Sequence, residues 1–174
     1  MNTPCSTALL VSLAALLASC ASTPRPAPPD VPPALQAPAG TTIYLETLAS
    51  GVQIYECARK VDSTYEWAFK APEAALTDRS GRALGKHYAG PTWEAADGST
   101  AVGEVKARDP GPSPTAIPWL LLAAKSSGTG LFADARFVQR VATVGGVAPA
   151  GGCAESTLKT QARVPYSATY IFYR

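Results

Sequence analysis

From about residue 40 onward, apolar and polar positions alternate with a period of two. Thr64-Tyr65-Glu66-Trp67-Ala68-Phe69-Lys70 sets Tyr65, Trp67 and Phe69 on one face, the spacing of a strand that leans one side on a core. Residues 43–46 and 52–57 carry similar patterns and flank Ser50-Gly51, which predicts a hairpin turn between two strands. Further strands are expected at 100–107, 117–124, 135–143 and 166–173, with turns at Arg79-Ser80-Gly81 and Asp97-Gly98. Pro118 has no N–H to give a ladder, so it belongs at the start or edge of its strand. Tyr170-Ile171-Phe172-Tyr173 predicts a final strand paired inside the sheet. No segment has a long helical period; 71–76 and 131–136 suit single helical turns. Eight to ten short strands with Gly, Pro and Asp turns predict an all-β fold, a single antiparallel β-sandwich or barrel-like domain over 41–174.

Before residue 40 the pattern changes. The run from Ala8 to Ala18 is apolar except for Ser12. It is too short for a bilayer core, which needs about 20 apolar residues, and has the length of a signal-peptide core. It ends in Leu17-Ala18-Ser19-Cys20, an apolar residue and two small ones before a cysteine, as in a lipoprotein signal. Residues 1–19 are therefore expected to be a signal peptide and Cys20 the lipidated residue, although Met1 to Thr7 contains no Lys or Arg. Lipidation makes a membrane the expected partner. Ala21 follows Cys20, with no Asp to retain the protein at the inner membrane, so the outer membrane facing the periplasm is expected. The alternative is a secreted protein cut after Ala18 or Ala21. Residues 20–40 then form a stalk: seven prolines between 21 and 38 favour extended polyproline conformation, reaching about 55 Å at most.

Without residues 1–19 the chain keeps 155 residues, enough for one domain with a proper core. Only 16% of residues are charged and the net charge is +2, with no basic stripe of the kind nucleic-acid binding needs. Cys5 leaves with the leader and Cys20 takes lipid. Cys57 and Cys153 remain as a lone pair in an oxidising compartment, which predicts a disulfide; the alternative is two reduced, buried thiols.

Candidate chemistry is sparse. His87 is the sole histidine, with a reference pKa near 6.5 that suits it to act as a base. Glu94 or Asp97 could orient it if the chain turns at Gly90-Pro91. The competing reading is a ring packed on Tyr88 or Trp93 and bonded to a loop carbonyl. One histidine among scattered carboxylates makes a poor metal site, so no metal is expected. Gly81-Arg82-Ala83-Leu84-Gly85-Lys86-His87 has the wrong spacing for a phosphate loop and no hydroxyl residue at its end, and no cofactor is expected. Trp93, near a turn, is the expected exposed ring for a ligand, whereas Trp67 and Trp119 are expected in the core. Arg140, among apolar neighbours, is expected to pair with Glu56 or Glu94, or to face solvent. His87, Tyr88, Trp93 and Arg140 together form the candidate ligand-binding set.

Several strings resemble a bacterial and fungal secreted family, domain of unknown function 3455. They include Gly51-Val52-Gln53-Ile54-Tyr55-Glu56-Cys57, Pro72-Glu73-Ala74, His87-Tyr88-Ala89-Gly90-Pro91-Thr92-Trp93, Ile117-Pro118-Trp119-Leu120-Leu121, Cys153 and Val164-Pro165-Tyr166-Ser167-Ala168. The resemblance covers about residues 40–174 and implies a secreted domain. Some members carry a malate dehydrogenase label, but this chain has neither G-x-G-x-x-G after a strand nor βαβ alternation. The expected function is that of a membrane-anchored envelope lipoprotein with a binding or scaffold role toward a small molecule, a glycan or an envelope protein. The scarcity of titratable groups favours this over the alternative, an envelope hydrolase or lyase centred on His87 with Glu94 or Asp97.

Overall fold

The computed structural model describes residues 27–174; the expected signal peptide and Cys20 lie outside the described residues. Eight antiparallel strands follow one another around a closed barrel: β1 (Ile43–Arg59), β2 (Tyr65–Thr77), β3 (Ala83–Tyr88), β4 (Thr92–Ala95), β5 (Thr100–Asp109), β6 (Trp119–Ser127), β7 (Phe137–Gly145) and β8 (Gln161–Tyr173). The final strand β8 closes the barrel by pairing with both β1 and β7, as the chain's terminal pattern predicts. Pro118 lies one residue before β6, where no donor is needed. Closure gives every strand two neighbours, although the ends of the longer strands, such as Tyr65–Glu73 of β2, pair on one side only.

The strands β1 and β2 are longer than the sequence pattern suggests. Ser50-Gly51 is not a turn. Gly51 lies in mid-strand, opposite Ala74 on β2 and Tyr166 on β8. A Cβ there would stand 2.1 Å from the Glu73 carbonyl oxygen, so the glycine permits a close approach of the two backbones. Residues 71–76 form no helical turn but continue β2, paired along β1. Residues 131–136 form a loop rather than a helix, with Phe132 fully buried in the barrel.

Apolar side chains point inward, where Leu76, Trp93, Leu122, Val138, Tyr170 and Phe172 form the main core. Charged residues such as Glu66, Lys86, Glu104 and Lys106 point outward, the reverse of a membrane-spanning barrel. Tryptophan burial inverts the expectation: Trp93 is fully buried, whereas Trp67 and Trp119 are only partly so. Gly103 makes room for Trp93, since a Cβ there would come within 2.9 Å of both its ring and Leu122.

The last part of the expected stalk belongs to the domain. Leu35, in a 3-10 turn over Pro33–Leu35, is fully buried. Val31 and Ala37 pack on the outer face against Ile43, Val141, Ile171 and Tyr173. Gln139 Nε2 donates to the Leu35 carbonyl, and Gln139 Oε1 accepts from the Tyr173 hydroxyl. Apolar residues between the prolines give this segment a surface to bury, which a free stalk lacks.

The Cys57–Cys153 disulfide is present, with Cα atoms 5.3 Å apart and 96 residues between them in sequence. It ties the end of β1 to the loop before β8. Trp67 Nε1 donates to the Gly151 carbonyl in the same loop (2.8 Å), and the Tyr55 hydroxyl donates to the Gly146 carbonyl (2.6 Å).

Candidate functional site

A turn at Gly90, whose φ of +92° favours glycine, folds β4 back on β3. The register pairs His87 with Trp93 and Lys86 with Glu94. Because strand side chains alternate, His87 and Trp93 point into the barrel while Lys86 and Glu94 point out. The His87 ring stacks on the Trp93 indole at 4.7 Å and 15° and tilts against Tyr170 at 4.9 Å. His87 Nδ1 meets the Thr92 carbonyl at 2.9 Å. A carbonyl only accepts, so Nδ1 carries the proton and Nε2 is left as an acceptor. Burial is the main cause that lowers the His87 pKa to about 4, and the Arg140 charge adds to it against the Thr92 bond. The imidazole is therefore neutral at pH 7.

His87 forms part of one wall of a cavity of about 390 Å³ at one mouth of the barrel. Gln53, Phe69, Arg108, Leu120 and Arg140 line it too, and no carboxylate does. Backbone irregularities aim its charged residues. Val105 pairs with Leu122 but Ala107 with Leu121, so Lys106 is an extra residue. This bulge shifts the alternation and puts Arg108 opposite the inward Leu120. Leu120 in turn pairs with Arg140, and Arg140 with Tyr170. On β2, Lys70 is the extra residue where Ile54 pairs with Ala71 and Tyr55 with Phe69.

Arg140 donates Nε and Nη2 to the Pro118 carbonyl, at 3.0 and 2.8 Å. It pairs with neither expected carboxylate: Glu56 lies 3.4 Å from Lys70, and Glu94 binds Lys86 and accepts from the Tyr88 hydroxyl. Its charge acts on Tyr55, Tyr166 and Tyr170, opposing the rise in phenol pKa that burial causes in each. Gln53 is 2% exposed. Gln53, Tyr166 and Tyr170 lie close together near Arg140, yet Gln53 Nε2 and the two phenol oxygens complete no hydrogen bond of good geometry.

The candidate residues thus separate. His87 and Arg140 share the cavity. Trp93 lies beneath His87, not open to a ligand, and Tyr88 faces outward onto Glu94. The His87–Glu94 or His87–Asp97 pairing does not form. Glu94 is on the opposite face by alternation. Asp97 sits at the other end of β4 and accepts from the Ser99 and Leu131 N–H groups, both at 2.8 Å. Gln53, Phe69, Lys70 and Arg108 were not legible as cavity residues, because the bulges that aim Lys70 and Arg108 leave no mark in the sequence. No three His, Cys, Asp or Glu side chains among the described residues come together to hold a metal ion.

Fold and cavity define a closed eight-stranded antiparallel barrel with a basic, partly apolar recess at one mouth. The chain belongs to the family described as protein of unknown function DUF3455, whose model matches residues 38–174. No curated protein and no solved structure matches it.

Proposed function

We propose that this protein is an exported, lipid-anchored binding module of the cell envelope, and that the barrel mouth holds a small ligand. The observation that carries this is a buried amide donor, Gln53 Nε2, which lies near the Tyr166 hydroxyl but completes no hydrogen bond of good geometry among the described residues, beside a cavity of about 390 Å³. Buried polar groups are nearly always bonded, and a concave, largely apolar recess with a few convergent polar groups is the usual form of a small-molecule site. The His87 ring supplies an acceptor to the same recess. The Leu17-Ala18-Ser19-Cys20 signal and a disulfide suited to an oxidising compartment support export.

As the sole histidine, His87 gives one imidazole signal set to follow by NMR. A diverse panel of small neutral, anionic and cationic compounds should contain members that shift this signal saturably and raise Tm. A panel that moves neither overturns the binding role. Mass spectrometry of the mature amino-terminal peptide should find three acyl chains on Cys20; an unmodified start overturns the anchor.

A further inference from the structure

We infer that the ligand of the barrel mouth is a small organic anion, a carboxylate on a flat apolar body. This rests on the binding role proposed above and goes further by fixing the ligand's charge and shape.

Charge carries the first half. Arg140 is only partly exposed and Arg108 stands across the β6 strand from it, both lining the cavity. Neither has a carboxylate partner among the described residues, and no Asp or Glu lines the recess to neutralise them. Several other cations have such partners, among them Arg79 with Glu46, Arg82 with Asp78, Lys86 with Glu94 and Arg163 with Glu73; what sets Arg108 and Arg140 apart from other unpaired cations such as Lys125 is that they share one recess. A guanidinium drawn partly out of water is stabilised by an anion that it can grip through several N–H groups. Gln53 Nε2 adds a neutral donor facing the same need. The His87 Nε2 acceptor suits a hydroxyl or a water beside the head group.

Shape carries the second half. Phe69 is 54% exposed at the rim, packed edge-on to Tyr55 with ring centroids 5.7 Å apart. Val105, Ile117 and Leu120 continue the apolar lining. An exposed aromatic over an apolar recess holds a flat hydrocarbon body better than a hydrated inorganic ion.

The test titrates benzoate, benzyl alcohol, benzylamine and inorganic phosphate into the mature protein, reading the His87 imidazole resonances. Benzoate is expected to bind saturably, at least tenfold tighter than each of the other three. Arg140→Gln should weaken benzoate about 10- to 100-fold, as loss of a charge-assisted bond does. Since Arg140 also holds the Pro118 carbonyl, Arg108→Gln provides the variant that disturbs no contact; it should weaken benzoate three- to tenfold. Benzyl alcohol or benzylamine binding as well as benzoate overturns the anionic ligand and leaves the binding role standing. Phosphate binding as well as benzoate overturns the apolar body. Wild-type affinity for benzoate in a folded Arg108→Gln, Arg140→Gln double variant overturns the inference as a whole.

Discussion

The two ends of the barrel are built on opposite principles. At the end away from the cavity, the loop between β6 and β7 folds inward as a plug. Phe132 is fully buried and packs on Phe172 with centroids 4.9 Å apart. Its N–H donates to Ser99 Oγ at 3.0 Å, and the neighbouring Leu131 N–H donates to Asp97. At the cavity end, Gln53 Nε2 and the Tyr166 and Tyr170 hydroxyls are buried close together yet complete no hydrogen bond of good geometry, and two guanidiniums have no carboxylate partner among the described residues. A closed barrel does not need an open mouth, because the same fold fills the other with the Phe132 loop, where the buried Tyr44 hydroxyl beside Asp134 and Arg174 is left without a hydrogen-bond partner. The contrast separates what holds the barrel together from what it holds open. It also predicts that stability resides in the plug and in the covalent clasp, while the recess contributes little.

The largest effect tests the clasp. With no apolar plug at the open end, the Cys57–Cys153 bridge is the covalent fastening of the long loop before β8 to β1, beside the Tyr55 bond to the Gly146 carbonyl. Its 96-residue separation corresponds to about 4–5 kcal/mol in the chain-entropy description. A Cys57→Ser, Cys153→Ser double variant should lose about that much by urea denaturation at constant pH. A loss below about 1 kcal/mol would mean that the open end is held by its packing after all. Next, Phe132→Ala should cost about 3–5 kcal/mol, the range for emptying a large buried aromatic site. If instead the cost is near zero, the loop is not a plug and the two ends are alike.

The pH dependence of stability comes third, and His87 at the open end sets it. Its folded pKa is about 4, against roughly 6.5 unfolded. The unfolded chain therefore takes up the proton first as pH falls. Stability is full above about pH 6.5 and declines toward pH 4, by about 3 kcal/mol in total. Paired carboxylates respond lower down: Asp78, held at about 2 chiefly by its bonds to Ser80 and Arg82, belongs to a separate acid limb. His87→Phe keeps a flat ring against Trp93 but cannot titrate, so it should flatten the curve between pH 6.5 and 4.5. A slope that survives the substitution assigns the proton uptake elsewhere.

The period-two pattern revealed the fold class and most strands because alternation is a direct consequence of one face being buried. It could not reveal closure, since a sandwich and a barrel bury the same face. Gly51 misled for a definite reason: Ser-Gly between two strand patterns looks like a turn, and only the approach of Glu73 and Ala74 shows why the glycine is there. Trp93 misled because nearness to a turn in sequence does not set which way a ring points; the register with His87 does. His87 and Arg140 stood out as rare residues among apolar neighbours. Arg108 and Lys70 did not, because a single bulged residue changes which face they share. Asp97, two residues before Ser99, looked like a partner for His87, yet it serves the plug.

The smallest effects give the sharpest contrast, because they set one polar residue at each end against the other. Ser99 is 1% exposed and its hydroxyl oxygen is the acceptor for the Phe132 N–H. Ser99→Ala leaves that buried donor unpaired and should cost about 1–3 kcal/mol. Arg108 lies at the open mouth with no ion pair or side-chain hydrogen bond among the described residues, so Arg108→Gln should leave stability within about 0.5 kcal/mol of wild type. Parallel thermal melts at pH 7 and low salt measure both variants under one condition. Equal destabilisation would erase the distinction between the ends, because it would mean that the guanidinium is a structural group. A melt unchanged by Arg108→Gln, beside a lowered one for Ser99→Ala, leaves the charge at the mouth with no structural role, as expected of a group kept for a ligand.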